Sequence, residues 1–171
     1  MTIVRPASLD DDASLARISY ESWDESNHPG ARWHRDRPFF GPPSDARVVD
    51  VVVAVDGGGV VGYIRIQPSP SIYGDWYIAD LGVAPEARSR GVGRALIRSA
   101  LQRAESAEAS AVWLKVLSTN EAGLALYRSV GFREVGRLSQ PFTTRPGTDD
   151  LRFSVQVQRR APTSAEPIRP S

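Results

Sequence analysis

Two valine-rich runs separated by three glycines constrain this chain more than any other feature: RVVDVVVAVD (Arg47–Asp56), then Gly57-Gly58-Gly59, then VVGYIRIQ (Val60–Gln67). β-Branched residues fit a pleated strand better than a helix, and glycine accepts the positive φ of a tight turn, so the pair predicts an antiparallel hairpin. Further strand-length runs stand at Thr2–Arg5, Asp75–Val83 (DWYIADLGV), Ala111–Leu117 (AVWLKVL), Phe132–Leu138 and Leu151–Gln158. Between them the period changes. Leu15, Ile18 and Ser19 recur at helical spacing after a Ser8 or Asp10 cap, in a helix ending near Trp23. Val92, Leu96 and Ala100, widened by Ile97, Leu101 and Ala104, predict a helix from about Gly91 to Glu108. Asn120–Val130 reads as a short helix stopped by Gly131. The order β-α-loop-β-β-β-α-β-α-β-β implies a mixed sheet with helices packed on it.

The segment Asn27–Asp45 holds Pro29, Pro38, Pro42 and Pro43, which excludes regular structure over most of its length. The tail APTSAEPIRPS (161–171) lacks apolar periodicity and is expected to be disordered, leaving residues 1–160 as one domain.

Charge narrows the partners. With 21 Lys plus Arg against 20 Asp plus Glu, the net charge of +1 is far from the basic excess of a nucleic-acid binder, so any anion site must be local. Lys115 is the lone lysine, and that arginine bias reads first as composition rather than function. The absence of cysteine excludes disulfides and thiolate chemistry. His28 and His34, six apart in a Pro- and Gly-containing segment, are poorly spaced for two metal ligands, and no metal is expected. No leader pattern and no run near the roughly 18 apolar residues of a membrane span is seen, so a cytoplasmic, membrane-free protein is expected.

VAPEARSRGVGRALI (Val83–Ile97) places Arg88, Arg90 and Arg94 around Gly91 and Gly93 where a strand meets a helix. A helix start offers unpaired N–H groups and the positive end of a dipole, and guanidinium groups add bidentate donors for phosphate. The spacing is neither the P-loop nor the dinucleotide fingerprint. Taken alone it is either a pyrophosphate cradle or an ordinary loop-to-helix junction.

Arg88–Gly93 (RSRGVG) fits the R/Q-x-x-G-x-G/A motif of the GNAT superfamily of acyl-CoA-dependent N-acyltransferases, and Asn120, Tyr127, Gly131 and Phe132 resemble that family's later N…LY…GF segment. The resemblance extends from Thr2 to about Gln158. It implies an α/β (α+β) fold with a mixed, mostly antiparallel central sheet of about seven strands and flanking helices. It also implies acetyl-CoA as co-substrate, lying in a gap where the strand ending at Val83 splays from Ala111–Leu117. The backbone of Leu81 and Val83 would pair with the pantetheine arm. The amides of Arg88, Ser89, Arg90, Gly91, Val92, Gly93 and Arg94 would hold the pyrophosphate. Gly82 is a candidate bulge that opens the edge.

Acyl transfer needs a neutral amine, a stabilised oxyanion and a proton for the departing thiolate. Tyr127, two helical turns past Asn120, is the candidate acid; Asn120 either bonds the cofactor or caps its own helix. Gly123 replaces the family's usual alanine, a change expected to weaken the helix without touching chemistry. The base is not legible. Asp80 is the nearest carboxylate, but alternation leaves its face open. Tyr77 and Lys115 occupy positions where family branches carry a carboxylate. Trp33, Phe39 and Phe40 either line an apolar acceptor pocket or plug the domain, and Glu21, Asp24 and Glu25 either attract the amine or form a solvated helix face. The expected activity is acetyl transfer to a primary amine, a small molecule favoured over a peptide or protein; the rival is a non-catalytic acyl-CoA sensor. The strand architecture permits a homodimer.

Overall fold

The computed structural model describes residues 1–22, 37–42, 45–139 and 147–157, so Trp33, Asp24, Glu25, both histidines and the tail lie outside the described residues. Its elements are β1 (Ile3–Pro6), α1 (Asp12–Ser22), β2 (Val51–Asp56), β3 (Gly59–Pro68), β4 (Trp76–Val83), α2 (Val92–Ser106), β5 (Ala111–Leu117), α3 (Glu121–Ser129), β6 (Arg133–Leu138) and β7 (Asp150–Gln156). The strands form one sheet in the order β1-β2-β3-β4-β5-β7-β6. Every neighbouring pair is antiparallel except β4 and β5, which run parallel because the α2 crossover returns the chain in the same direction.

The glycine hairpin forms as its sequence requires. Gly57 and Gly58 take φ of 58° and 82°, and Asp56 pairs with Gly59 across the turn. The strand before it starts later than its valines suggest. Arg47 donates to both carboxylate oxygens of Asp50 at 2.7 and 2.8 Å, closing a 3-10 turn at Val48–Asp50, and β2 begins only at Val51.

A second arginine–aspartate pair sets the entry to α1. The two terminal nitrogens of Arg5 donate to Asp11 at 2.8 Å each, and the Ser8 amide donates to the same carboxylate at 2.8 Å, across a 3-10 turn that leads into the helix. These bonds, the Arg5 one foremost, pull the Asp11 carboxyl down to about 2 against the opposing effect of burial.

Alternation on β3 divides the core. On one face the Tyr63 ring meets Phe39 edge-on at 4.8 Å. Gly62, Ile64 and Ile66 face α2, where Val92 and Leu96 lie close against Gly62. The α2 stripe of Val92, Leu96, Ile97, Ala100 and Ala104 is buried, and full burial of Leu96 and Ile97 stabilises by about 2 kcal/mol each.

Candidate functional site

β4 and β5 pair only where Trp76, Tyr77 and Ile78 meet Val112, Trp113 and Leu114. Beyond that, β4 follows β3 to Val83 and β5 follows β7 to Leu117, so the two strands part and their facing backbone groups need other partners. The gap opens into a cleft of about 910 Å³ lined by Leu81 and Val83, the loop before α2, the first turn of α2 and one side of α3.

The loop floor is backbone. After a 3-10 turn at Pro85–Ala87, Ser89 takes φ 60° and Gly91 φ 83°, alternating with Arg90 in the ordinary region. Such alternation turns successive amides toward one concave side, the usual geometry of an anion nest. Gly91 is the N-cap of α2 and its carbonyl accepts the first helical bond from Ala95 at 3.0 Å, so the amides of the first turn have no acceptor within the helix. Gly93 has a separate reason to be glycine: a Cβ there would stand 2.9 Å from Leu126 of α3.

Of the sequence-predicted cofactor residues, Leu81, Val83, Arg88, Ser89, Gly91, Val92, Gly93, Arg94, Asn120 and Tyr127 all line the cleft. Arg90 does not. Its guanidinium donates to Asp56 at 2.6 Å on the β2–β3 hairpin, which carries its charge away from the cradle. Arg88 donates to the Val83 carbonyl at 3.2 Å, and Arg94 to the Ser129 hydroxyl at 3.0 Å, which keeps both at the rim. Asn120 caps α3, its Oδ1 accepting from the Gly123 amide at 2.9 Å. A Cβ at Gly123 would lie 2.8 Å from the Asn120 side chain, so this glycine makes room for the cap.

The expectation that Gly82 forms a bulge is corrected. Ile66 pairs with Ile78 and Arg65 with Asp80, so Ala79 is the extra residue on β4. Gly82 instead lies under the Tyr63 ring, where a Cβ would come within 2.5 Å of Cε1. The bulge has a chemical consequence. Tyr77 and Asp80 are three apart, and strict alternation would put them on opposite faces. With Ala79 skipped, both stand on the face of Tyr63, Arg65 and Gln67, while Leu81 and Val83 turn toward α2.

On that face Asp80 accepts from the Tyr63 hydroxyl at 2.6 Å, and Tyr77 stacks on Trp113 at 4.2 Å. Tyr127 is buried, packs edge-on against Phe132 at 5.9 Å, and its hydroxyl makes no hydrogen bond among the described residues. Burial pushes its phenol well above the usual value, with the charges of Asp80 and Tyr77 adding to the rise. The phenol therefore stays a neutral O–H donor, and Asp80 acts electrostatically on it across the sheet.

Other expected acceptor residues lie elsewhere. Phe39 is a core side chain wedged between Phe40 and Tyr63 rather than a pocket wall. Glu21 pairs with Arg17 at 2.8 Å along α1. Lys115 reaches Asp150 at 3.8 Å. Tyr63 and Arg65 escaped notice in the sequence, although the polar alternation of Tyr63, Arg65 and Gln67 within an apolar strand was the available signal. Among the described residues there is no cluster of three metal-ligating side chains, and no helix is long and apolar enough to cross a membrane.

Residues 13–132 match the acetyltransferase (GNAT) family, and with the splayed sheet and the glycine cradle on the same stretch, the chain belongs to that family. It is 41% identical over 88 residues to the N-alpha-acetyltransferase RimI of Mycobacterium tuberculosis, a match covering 50% of this chain. The chain spans only about half of that protein's length, 52%. It is 30% identical to an L-2,4-diaminobutyric acid acetyltransferase of Nocardia farcinica over 96% of this chain and 82% of that one. In fold it resembles a Salmonella typhimurium protein solved with acetyl-CoA, with a TM-score of 0.70, 19% identity, and coverage of 94% and 96% of the two chains.

Proposed function

We propose that the protein transfers an acetyl group from acetyl-CoA to a primary amine by direct attack in a ternary complex. The observation that carries this reading is the coincidence of the β4–β5 gap with an amide-lined turn at its end. An extended acyl-pantetheine arm fits an opened strand edge, and its pyrophosphate fits a concavity of free amides at a helix start. A cleft of about 910 Å³ is roomy enough for such a ligand.

The residues divide the chemistry. The acceptor's ammonium is drawn to Asp80, to which it gives up its proton as its nitrogen bonds the thioester carbonyl carbon. As the tetrahedral adduct collapses, the carbon–sulfur bond breaks, Tyr127 donates its proton to the thiolate, and the second proton on the new amide nitrogen passes back to the Tyr127 phenolate, leaving a neutral amide, a free thiol and a protonated Asp80 that gives its proton to solvent. A phenol raised by burial is a weak acid, yet it is placed where negative charge develops and is held in the protonated form. The Tyr63 hydroxyl orients the Asp80 carboxylate through its 2.6 Å bond.

A small-molecule acceptor is favoured because the diaminobutyrate enzyme matches nearly the whole chain, whereas the RimI match covers half. The absence of a carboxylate at Lys115, where the family branch acetylating ribosomal protein carries a glutamate, points the same way. Two measurements test the reading together. Acetyl-CoA at 100 times its dissociation constant should stabilise the protein by about 2.7 kcal/mol and raise its melting midpoint by several degrees. Free thiol should then appear only when an amine is added. Stabilisation without amine-dependent thiol under any amine would leave a non-catalytic acyl-CoA sensor; no stabilisation would end the cofactor reading.

A further inference from the structure

Arg65 has no part in the chemistry above, and its surroundings are unusual for an arginine. It lies mid-strand in β3 directly across from Asp80, on the face that carries Tyr63 and Tyr77, with its side chain 15% exposed. A guanidinium has five N–H donors, and one buried this far normally meets several acceptors. Here its one ion pair among the described residues is with Asp45, to which Nη1 donates at 2.8 Å. Nε is buried with no acceptor among the described residues. Asp45 is itself 84% exposed, so the pair is held from the solvent side by a carboxylate that another carboxylate can replace.

Arg65 and Asp80 do not pair with each other within ion-pair distance, although they are cross-strand neighbours; the Asp80 carboxylate accepts from Tyr63. Cross-strand neighbours stand roughly 5 Å apart, so a cation and an anion of opposite function flank one small area of the sheet face. Tyr77 lies in that area. Burial raises its phenol first, the charges of Asp150 and Asp80 raise it further, and Arg65 and Arg152 act against them. A ligand answering both Arg65 and Asp80 carries an anion and an ammonium only a few bonds apart. The chain end of a protein has no carboxylate beside its amine, and a plain diamine has none anywhere.

We propose that Arg65 binds the carboxylate of the acetyl acceptor, which makes the acceptor class amino acids and diamino acids. This assignment rests on the acetyltransferase reading and makes Arg65 a specificity residue on the side of β4 opposite the cofactor. Asp45 holds the guanidinium in the free protein and yields part of it to the acceptor.

The test compares acceptors that differ by one carboxylate: lysine with cadaverine, ornithine with putrescine, phenylalanine with phenethylamine, and a short peptide with a free amino end. The carboxylated member of at least one pair should show a kcat/KM at least about tenfold higher, as expected for a charge-assisted contact. Arg65→Gln should collapse that ratio toward one by raising KM, and Arg65→Lys should restore part of it because a point charge remains. Asp45→Asn, at an exposed position with little bearing on folding, should lower KM for the carboxylated acceptor. Equal or better use of the plain amines or the peptide overturns the proposal. So does an Arg65→Gln enzyme that keeps the preference, or a failure of every carboxylated amine to turn over. Acetyl-CoA stabilisation with turnover of amines lacking a carboxylate sinks this assignment alone; no acetyl-CoA binding and no turnover of any acceptor sinks the acetyltransferase reading with it.

Discussion

The two sides of β4 are built by different means. The side proposed for the cofactor is local: the turn after Val83, the left-handed Ser89 and Gly91, and the first turn of α2 are consecutive in the chain, and what they offer is backbone amides. The side proposed for the acceptor is assembled from Tyr63 and Arg65 on β3, Tyr77 and Asp80 on β4 and Trp113 on β5, with Tyr127 of α3 in the cleft between the two. Backbone sites are robust to side-chain identity and sensitive to φ; side-chain sites are the reverse. That contrast orders the expected outcomes.

Tyr127→Phe carries the largest effect. Loss of the proton donor should lower kcat by about 100-fold or more, while acetyl-CoA still raises the melting midpoint. An unchanged kcat would move the acid role off α3 and leave the acceptor side without its chemistry.

Gly91→Glu attacks the backbone side. A carboxylate facing a phosphate, on a residue at φ 83°, should remove the stabilisation of about 2.7 kcal/mol seen with excess acetyl-CoA. A full shift retained in this variant would mean that the cradle is only a junction. Arg90→Ala should change acetyl-CoA affinity by less than about twofold, since its guanidinium is held by Asp56; a large loss there would show that the arginine swings back to the cleft.

Gly82→Ala should cost about 1–3 kcal/mol and lower the melting midpoint by several degrees, because the added methyl must displace the Tyr63 ring. If the variant melts like the wild type, the close approach of Tyr63 to β4 is wrong, and with it the orientation of Asp80. Acid provides a control outside both sides. The Asp11 carboxyl is lowered from 3.8 to about 2 on folding, so it contributes stability above pH 4 that is lost as pH falls through about 2. The amount is about 2 kcal/mol. Arg5→Leu should remove most of that dependence in acid melts, the Ser8 bonds keeping the remainder, without altering the pH profile of turnover; a shift in the turnover profile would couple α1 to the acceptor face.

Much of this molecule was readable in one dimension. The glycine hairpin, the strand-length apolar runs and the α2 stripe depend on local sterics and on periods of two or 3.6 residues, which survive in the sequence whatever the tertiary context. The cradle was legible for the same reason, since left-handed φ at a glycine before a helix is a local property. The Arg90 guanidinium meets Asp56, a contact hidden in the sequence because spacing places a Cα but does not decide which anion a flexible guanidinium reaches. Phe39 stayed open between pocket wall and core plug because an aromatic in a proline-rich segment gives no sign of the Tyr63 edge it packs against.

The chain by itself determined the seven strands, the crossover helix and the amide-lined turn at the start of that helix. Only the tertiary structure decided which side chains share the Tyr63 face of the sheet. The decision turns on one residue, Ala79, which drops out of the ladder and brings Tyr77 and Asp80 to the same face. A bulge has no signature in a run like DWYIADLGV, because it arises from register against β3, and register is a property of two strands together.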